Sequence, residues 1–209
     1  MNQAFKPYIP VELTGTLEND VAAIFRAHGD EETLDHVLKV ASEAKRIAGR
    51  FGVDARQAEI AALLHDISNV IPIGEMLSVA AQLSIEVAPE ERLYPRIIHQ
   101  KLSRTMAACA FGITDRDILS AIECHTTLKP GASQLDKVLF IADKISWDLP
   151  GEHSELAAIR TKVEEGQLDE AVLLYLDHVW SQRDELKLVH DWLIRARAEM
   201  RESELNRHD

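Results

Sequence analysis

The dipeptide His65-Asp66 ends an apolar run, and this placement limits what the chain can fold into more than any other feature of the sequence. The run before it reads Ala58-Glu59-Ile60-Ala61-Ala62-Leu63-Leu64. An imidazole is costly to bury without a partner, and a carboxylate costs far more. No Lys or Arg lies between Leu63 and Ile67. A cationic side chain from elsewhere or a divalent metal ion must therefore neutralise Asp66, and a metal ion would account for both residues.

Composition indicates a globular chain with one substantial core. Of the 209 residues, 46% are hydrophobic, and only 9 are Gly and 7 are Pro. A chain of this length can bury such a core as one domain. The 35 acidic residues exceed the 23 basic ones and give a net charge of -12. This charge opposes binding to a polyanion, so nucleic acid is not the expected partner.

The cysteines and the N-terminus bear on the compartment. Cys109 and Cys124 lie in helical apolar patterns, and the chain has no Cys-x-x-Cys pair. A disulfide scaffold is therefore not expected, and a reducing compartment fits. Residues 1–10 lack a basic segment followed by an apolar one, and no apolar run reaches the roughly 18 residues of a membrane span. We expect a cytoplasmic protein without a membrane partner.

Helical periodicity recurs along the chain while strand signals are scarce, which predicts an all-α fold. After Asp30, apolar residues recur at spacings of three, four and seven, and Gly52 follows as a stop. Asp54 and Gln57 loosely match a capping box, which would start the helix that ends near His65. Further helices are predicted at about 17–28, 73–84, 95–110, 115–125, 133–147, 154–165, 168–186 and 190–204. The Pro and Gly breakers between these segments are too short to be flexible linkers, so a single-domain helical bundle is expected.

Four more polar residues lie on or beside the apolar faces of predicted helices: His36, His99, His125 and Asp143. Any one of these histidines alone would be more typical of a core histidine bonded to a backbone carbonyl. Together with His65 and Asp66 they form a set of four imidazoles and two carboxylates. Such a set suits one or two ions of iron or manganese, with zinc as an alternative, and the absence of thiolates disfavours a structural zinc site. Two ions that share a carboxylate can bind a phosphoryl oxygen and activate water, which is phosphoester hydrolysis chemistry.

The ordered set resembles the HD superfamily of metal-dependent phosphohydrolases. Besides the run ending in His65-Asp66, the resemblance is carried by Ala121-Ile122-Glu123-Cys124-His125-Thr126-Thr127 and by Phe140-Ile141-Ala142-Asp143-Lys144-Ile145. Within the superfamily these segments are similar to the YqeK-type symmetrical diadenosine tetraphosphate hydrolases of bacteria. The resemblance implies an HD-domain helical bundle over residues 30–187. Residues 1–29 would then form a helical lead-in, and residues 188–209 a C-terminal helix and charged tail.

The resemblance also implies a role for each residue of the set. One ion would be held by His36, His65, Asp66 and Asp143, and a second by Asp66, His99 and His125. His65 and Asp66 would be the catalytic pair, with Asp66 as the bridging ligand and not a nucleophile. The cofactor would be a divalent transition metal, two ions per chain, with iron first and manganese or zinc as alternatives. The substrate would be a small nucleotide, and diadenosine tetraphosphate would yield two molecules of ADP.

Several positions on the phosphate side depart from the family pattern. The usual Lys three residues after the Asp is Asn69, the usual Gly after His-Thr-Thr is Leu128, and Ser146–Pro150 replaces a Glu-Pro-x-x-Arg segment. These changes leave the exact nucleotide open. The candidate substrate contacts are Asn69, Arg96, Lys101, Thr126, Thr127 and Lys129.

Three alternatives stay open at this point. The chain could be a catalytically weak HD-domain protein that senses a nucleotide through an intact metal site. The site could instead hold one ion, with His99 or His125 serving as an acid or a substrate contact. The broad apolar face from Leu168 to Val179 fits core packing, with a homodimer surface as the alternative.

Overall fold

Helices connected by short turns make up the structure, a computed structural model that describes residues 2–147 and 154–208. Over these residues there is no strand, which confirms the predicted all-α fold. The α-helices are α1 (Leu17–Ala27), α2 (Glu31–Phe51), α3 (Ala55–Leu64), α4 (Ile73–Gln82), α5 (Pro89–Leu93), α6 (His99–Ala110), α7 (Arg116–Cys124), α8 (Gln134–Ile145), α9 (Ser154–Glu164), α10 (Leu168–Ser181) and α11 (Asp191–His208). Short 3-10 helices cover Gln3–Tyr8, Ile67–Val70 and Pro95–Ile98.

The helix starts follow from capping residues in the sequence. Asp54 caps α3 by accepting from the N–H groups of Arg56 and Gln57. The expected return contact from the Gln57 side chain to the backbone of Asp54 is wrong. The Gln57 side chain instead donates to Asp115 Oδ2 at 2.8 Å and so links α3 to the start of α7. At the C-terminal end of α2, Gly52 adopts φ 68°, a left-handed conformation that glycine reaches without strain.

Some predicted boundaries differ from the structure. The segment predicted as one helix over 95–110 is a 3-10 turn followed by α6, and the break places His99 at the start of α6. Helix α10 ends at Ser181, where the helix over 168–186 was expected to continue. Helix α5 was missed because its five residues are too few to show a period. Residues 148–150 of the Ser146–Pro150 replacement lie outside the described residues.

The short helix α3 lies at the centre of the fold. It packs against α2, α7 and α8, and Ala58, Ala61, Ala62, Leu63 and Leu64 are all buried. Small alanines allow the neighbouring helices to approach from several sides. The C-terminal end of α3, and with it His65-Asp66, is thereby placed where four helices converge.

Helix α11 is held to the rest of the fold at its start and along its middle turns. Near its start, His190 Nε2 donates to Glu91 Oε1 at 3.1 Å, and Lys101 Nζ donates to Glu91 Oε2 at 2.7 Å. Further along, Arg197 and Arg201 bind Asp177 of α10. The buried Glu91 therefore ties α5, α6 and the beginning of α11 together.

The Glu91 contacts predict a pH-dependent loss of stability. Burial by itself would raise the pKa of Glu91, but hydrogen bonds from His190, Lys101 and the Ala88 N–H outweigh it and lower the pKa from 4.5 to about 2. A depressed folded-state pKa stabilises the fold above pH 4.5, here by about 3 kcal/mol, and the contribution is lost as the pH falls toward 2. Urea denaturation would measure the free energies of unfolding of wild type and Glu91→Gln. The difference between the two should be largest at pH 6 and should shrink by about 2 kcal/mol at pH 3. A difference that stays constant over this range would contradict the assignment.

Two sequence expectations concern membranes and disulfides. Among the described residues no single helix is long and apolar enough to cross a membrane; Ala55–Val70 and Ile73–Gln82 pass the length and composition criteria only together, and they are bent by 108°. Both cysteines are free, Cys109 exposed and Cys124 buried.

Candidate metal centre

The structure brings all six predicted ligands to one point in the fold. Each comes from a different position on the helices around α3: His36 lies on α2, His65 and Asp66 follow α3, His99 begins α6, His125 ends α7, and Asp143 lies on α8. All six are buried, with residue exposures of 8% or less. Residues separated by up to 107 positions in sequence therefore form one polar cluster inside an apolar core.

Three of the histidines are oriented in the same way. In each, the ring Nδ1 lies within hydrogen-bond distance of the backbone carbonyl three residues earlier, which fixes Nδ1 as the protonated donor. Nε2 is then an acceptor, and its lone pair faces the cluster. The three Nδ1 bonds are His65 to Ala62 at 2.6 Å, His99 to Arg96 at 2.8 Å and His125 to Ile122 at 2.8 Å.

The acceptor atoms then face one another at close range. His99 Nε2 and His125 Nε2 lie 3.0 Å apart, and Asp66 Oδ1 is 3.3 Å from the first and 3.5 Å from the second. His65 Nε2 and Asp66 Oδ1 are buried without a hydrogen-bond partner. Lone pairs and a carboxylate converge here, and a cation between them would satisfy all of these atoms.

Two overlapping groups have the geometry to hold a metal ion. The ligand atoms of His36, His65 and Asp143 lie within 4.8 Å of one another, and so do those of His65, Asp66 and His125. The first group includes a contact of 2.9 Å between His36 Nε2 and Asp143 Oδ1. His65 belongs to both groups in this geometry, and the bridging role of Asp66 stays a prediction.

The electrostatics favour the metal-binding protonation state at Asp66 and at His125. For Asp66, burial opposes ionisation, but the neighbouring imidazole rings of His65, His125 and His99 hold the pKa well below its usual range. For His125, burial together with the charges of His65 and His99 lowers the pKa to about 4, although Asp66 acts in the opposite direction. A carboxylate and a neutral imidazole at neutral pH are the forms that bind a divalent ion.

A lysine stands next to the centre. Lys144 Nζ donates to Asp143 Oδ2 at 2.6 Å, and its side chain is only 10% exposed. Burial lowers its pKa, but Asp143 raises the pKa more strongly, so the ammonium stays charged. Lys144 directly follows a candidate ligand in the sequence, so a cation beside the centre could be expected from the sequence.

The candidate substrate contacts are spread more widely than the ligands. Thr126 Oγ1 lies 3.1 Å from His99 Nε2, and Thr127 packs with Gln100 beside it. Asn69 Oδ1 is buried without a hydrogen-bond partner. Lys101 binds Glu91, Lys129 donates to Ser120 Oγ at 2.5 Å, and Arg96 is exposed. The contacts of these six residues with a substrate stay predictions.

The geometry can now be set beside known proteins. The sequence profile of the HD domain family matches residues 33–148, more than half of the chain, and this span contains all six candidate ligands. The chain belongs to the HD domain family. The resemblance read from the motifs is thereby confirmed.

This HD-domain protein is similar to both characterised and uncharacterised relatives. It is 43% identical over 152 residues to an uncharacterized protein in the pepC 5' region of Lactococcus lactis subsp. cremoris, a match that covers 71% of this chain and 74% of that protein. It is 37% identical over 112 residues to the symmetrical bis(5'-nucleosyl)-tetraphosphatase of Bacillus subtilis (strain 168), covering 53% of this chain and 59% of that enzyme. The second match thus spans less than two thirds of the named relative.

A solved structure has the same fold. It is the crystal structure described as a predicted HD superfamily hydrolase involved in NAD metabolism from Clostridium acetobutylicum. It superposes with a TM-score of 0.81 at 28% identity and covers 88% of this chain and 97% of that one. The likeness extends well beyond the residues 33–148 that the family profile matches.

Proposed function

We propose that this HD-domain protein is a metal-dependent phosphohydrolase that cleaves a dinucleoside polyphosphate, with diadenosine tetraphosphate as the first candidate. The observation that carries the proposal is the convergence of three Nε2 lone pairs and the Asp66 carboxylate in a buried site. The relatives named as symmetrical tetraphosphatases support the substrate class.

The donor set fits a pair of divalent transition ions. His36, His65 and Asp143 would hold one, and Asp66, His99 and His125 the other, with Asp66 or His65 shared between them. Imidazole and carboxylate ligands without thiolate place iron and manganese first, with zinc as an alternative. Bound here, such ions would neutralise phosphoryl oxygens and lower the pKa of a coordinated water.

The protein's own residues prepare the site for this chemistry. Carbonyl contacts at Ala62, Arg96 and Ile122 lock the three imidazole rings before any substrate arrives. Lys144 holds Oδ2 of Asp143, which leaves Oδ1 of that carboxylate directed at His36. The Thr126 hydroxyl lies at the edge of the site, 3.1 Å from His99 Nε2, where it could donate to a phosphoryl oxygen.

Product analysis is the direct test. Protein loaded with iron or manganese should convert diadenosine tetraphosphate to ADP alone. Attack of water at one inner phosphate, with cleavage of its bond to the bridging oxygen of the other inner phosphate, leaves two diphosphates. Chelation should abolish the reaction, and readdition of metal should restore it. ATP and AMP as the products would contradict symmetrical cleavage. Absence of turnover with this substrate and with ADP, GTP, deoxynucleotides and cyclic dinucleotides would contradict the hydrolase proposal.

One observation favours a second candidate function. Asn69 replaces the lysine expected beside the site, and Lys101 and Lys129 are engaged by Glu91 and Ser120. A centre with fewer free cations would bind phosphates more weakly and turn them over more slowly. A nucleotide sensor would then bind ADP in the metal-loaded state without hydrolysing any of the substrates above.

A further inference from the structure

A cavity of about 450 Å³ lies between the end of α8 and the helices α9 and α10. Its walls include Lys144, Trp147, Tyr175, His178, Val179 and Gln182. The volume falls within the range of sites that hold a small organic ligand. The ligand candidates of the metal centre do not line it, so it is a separate space.

Two wall residues connect this cavity to the metal centre. Lys144 lines it and also donates to Asp143 Oδ2 at 2.6 Å. Trp147 lines it and stacks on His36, with the ring centroids 3.8 Å apart and the planes inclined by 22°. A ligand with one end on the metals and the other in the cavity would therefore pass along Lys144 and Trp147.

The walls suit a flat, polar aromatic group. Trp147 and Tyr175 supply aromatic surface, and Trp147 is 40% exposed although it is a large apolar side chain. Val179 supplies an apolar wall, while His178 and Gln182 can each donate or accept a hydrogen bond. The Lys144 ammonium stands at the side nearer the metals, where a phosphate chain would begin.

We propose that this cavity is the nucleobase pocket for one nucleoside half of the substrate, with Trp147 as a residue that determines specificity for base-bearing phosphates. The proposal rests on the proposed function, since it assumes phosphates at the metal centre. The base stacks against Trp147 or Tyr175, and Gln182 and His178 bind its edge. Lys144 contacts the phosphate that joins the nucleoside to the metals.

Equilibrium binding separates the pocket from the metal chemistry. We would measure by calorimetry the affinity of metal-loaded protein for ADP and for inorganic tripolyphosphate, which has no base. Trp147→Ala should weaken ADP binding by roughly 5- to 100-fold, the range expected for loss of one base-stacking contact. Tripolyphosphate affinity should change less than about twofold by the same reasoning. Equal weakening for both ligands would overturn the proposal, because Trp147 would then act only through His36. Unchanged ADP affinity would overturn it as well.

A second variant and a matched control address indirect effects. Val179→Trp fills the cavity from the α10 side without touching a ligand candidate, and it should weaken ADP binding while tripolyphosphate binding is retained. Trp180 is the control, because it packs against Arg183 and Arg197 and does not line the cavity. Trp180→Phe should leave the affinities for ADP and tripolyphosphate unchanged. ADP should still alter the tryptophan fluorescence of this variant, because Trp147 is retained. ADP affinity that survives Val179→Trp in folded protein would overturn the pocket. These binding results do not depend on turnover, so failure of the pocket and failure of the hydrolase proposal are distinguishable.

Discussion

Replacing Asp66 by Asn is expected to lower kcat for dinucleoside tetraphosphate hydrolysis by about 10³-fold or more. Asp66 Oδ1 lies within 3.5 Å of the Nε2 atoms of His99 and His125. Asp66 also belongs to the candidate metal group formed with His65 and His125, so its negative charge would help to hold a cation there. An amide is nearly the same shape but supplies no negative charge. The variant should therefore lose metal as well as activity, which steady-state kinetics and metal analysis of the same preparation would measure.

The matched control for this substitution is Asp136→Asn. Asp136 is also buried, at 1% exposure, but it belongs to the capping box of α8 and accepts from Ser120. This variant should lose stability by about 1 kcal/mol through weaker capping and keep its metal content and kcat. Full activity and metal content in Asp66→Asn would contradict the role given to Asp66. Loss of metal in both variants would point to general unfolding.

Replacing Lys144 by Met is expected to have the second largest effect. The substitution removes the ammonium from a buried ion pair and leaves Asp143 without its cationic partner, and breaking a buried pair in this way costs about 3–5 kcal/mol in other proteins. In this protein the cost should be greatest without metal, because a bound ion would neutralise Asp143 in place of the ammonium. Thermal or urea unfolding with and without metal would measure this difference. The variant should also lower kcat by about 10- to 100-fold, the usual cost of removing a partner that orients a metal ligand.

Lys137 offers the matched control. Its ammonium donates to Asp169 at 2.7 Å, and its side chain is 13% exposed, close to the 10% of Lys144. Lys137→Met should reduce stability equally with and without metal and leave kcat unchanged. If Lys144→Met destabilised the protein by the same amount in both states, the link between Lys144 and the metal centre would be refuted.

The candidate ligands could be selected from the sequence because each one breaks an apolar pattern, and the fold brings them together. A histidine or aspartate on an apolar helical face is costly, so His36, His65, Asp66, His99, His125 and Asp143 were visible before any fold was known. The helix cap at Asp54 was also predicted from the sequence, and the structure has it. These features depend on residues close together in the sequence, so they can be predicted without knowledge of tertiary contacts.

Other parts of the site depend on contacts between distant segments. Lys101 and Lys129 looked like phosphate ligands from their sequence positions, but Glu91 and Ser120 engage them in the fold. Trp147 stacks on His36 although the two residues lie 111 positions apart in the sequence. Helical periodicity reports only on neighbouring turns, so it could not predict this contact. The cavity beside Lys144 likewise exists only because α8, α9 and α10 meet there.

Metal content per chain tests the central claim most directly. Protein reconstituted with iron or manganese and freed of loosely bound ions should retain close to two ions per chain by mass spectrometry of the metal, and Asp66→Asn should retain fewer. A value near one would contradict the two-ion centre and favour a mononuclear site with His99 or His125 free for another role. A value near zero for iron, manganese and zinc alike, in folded wild-type protein, would contradict the assignment of the His and Asp cluster as a metal centre.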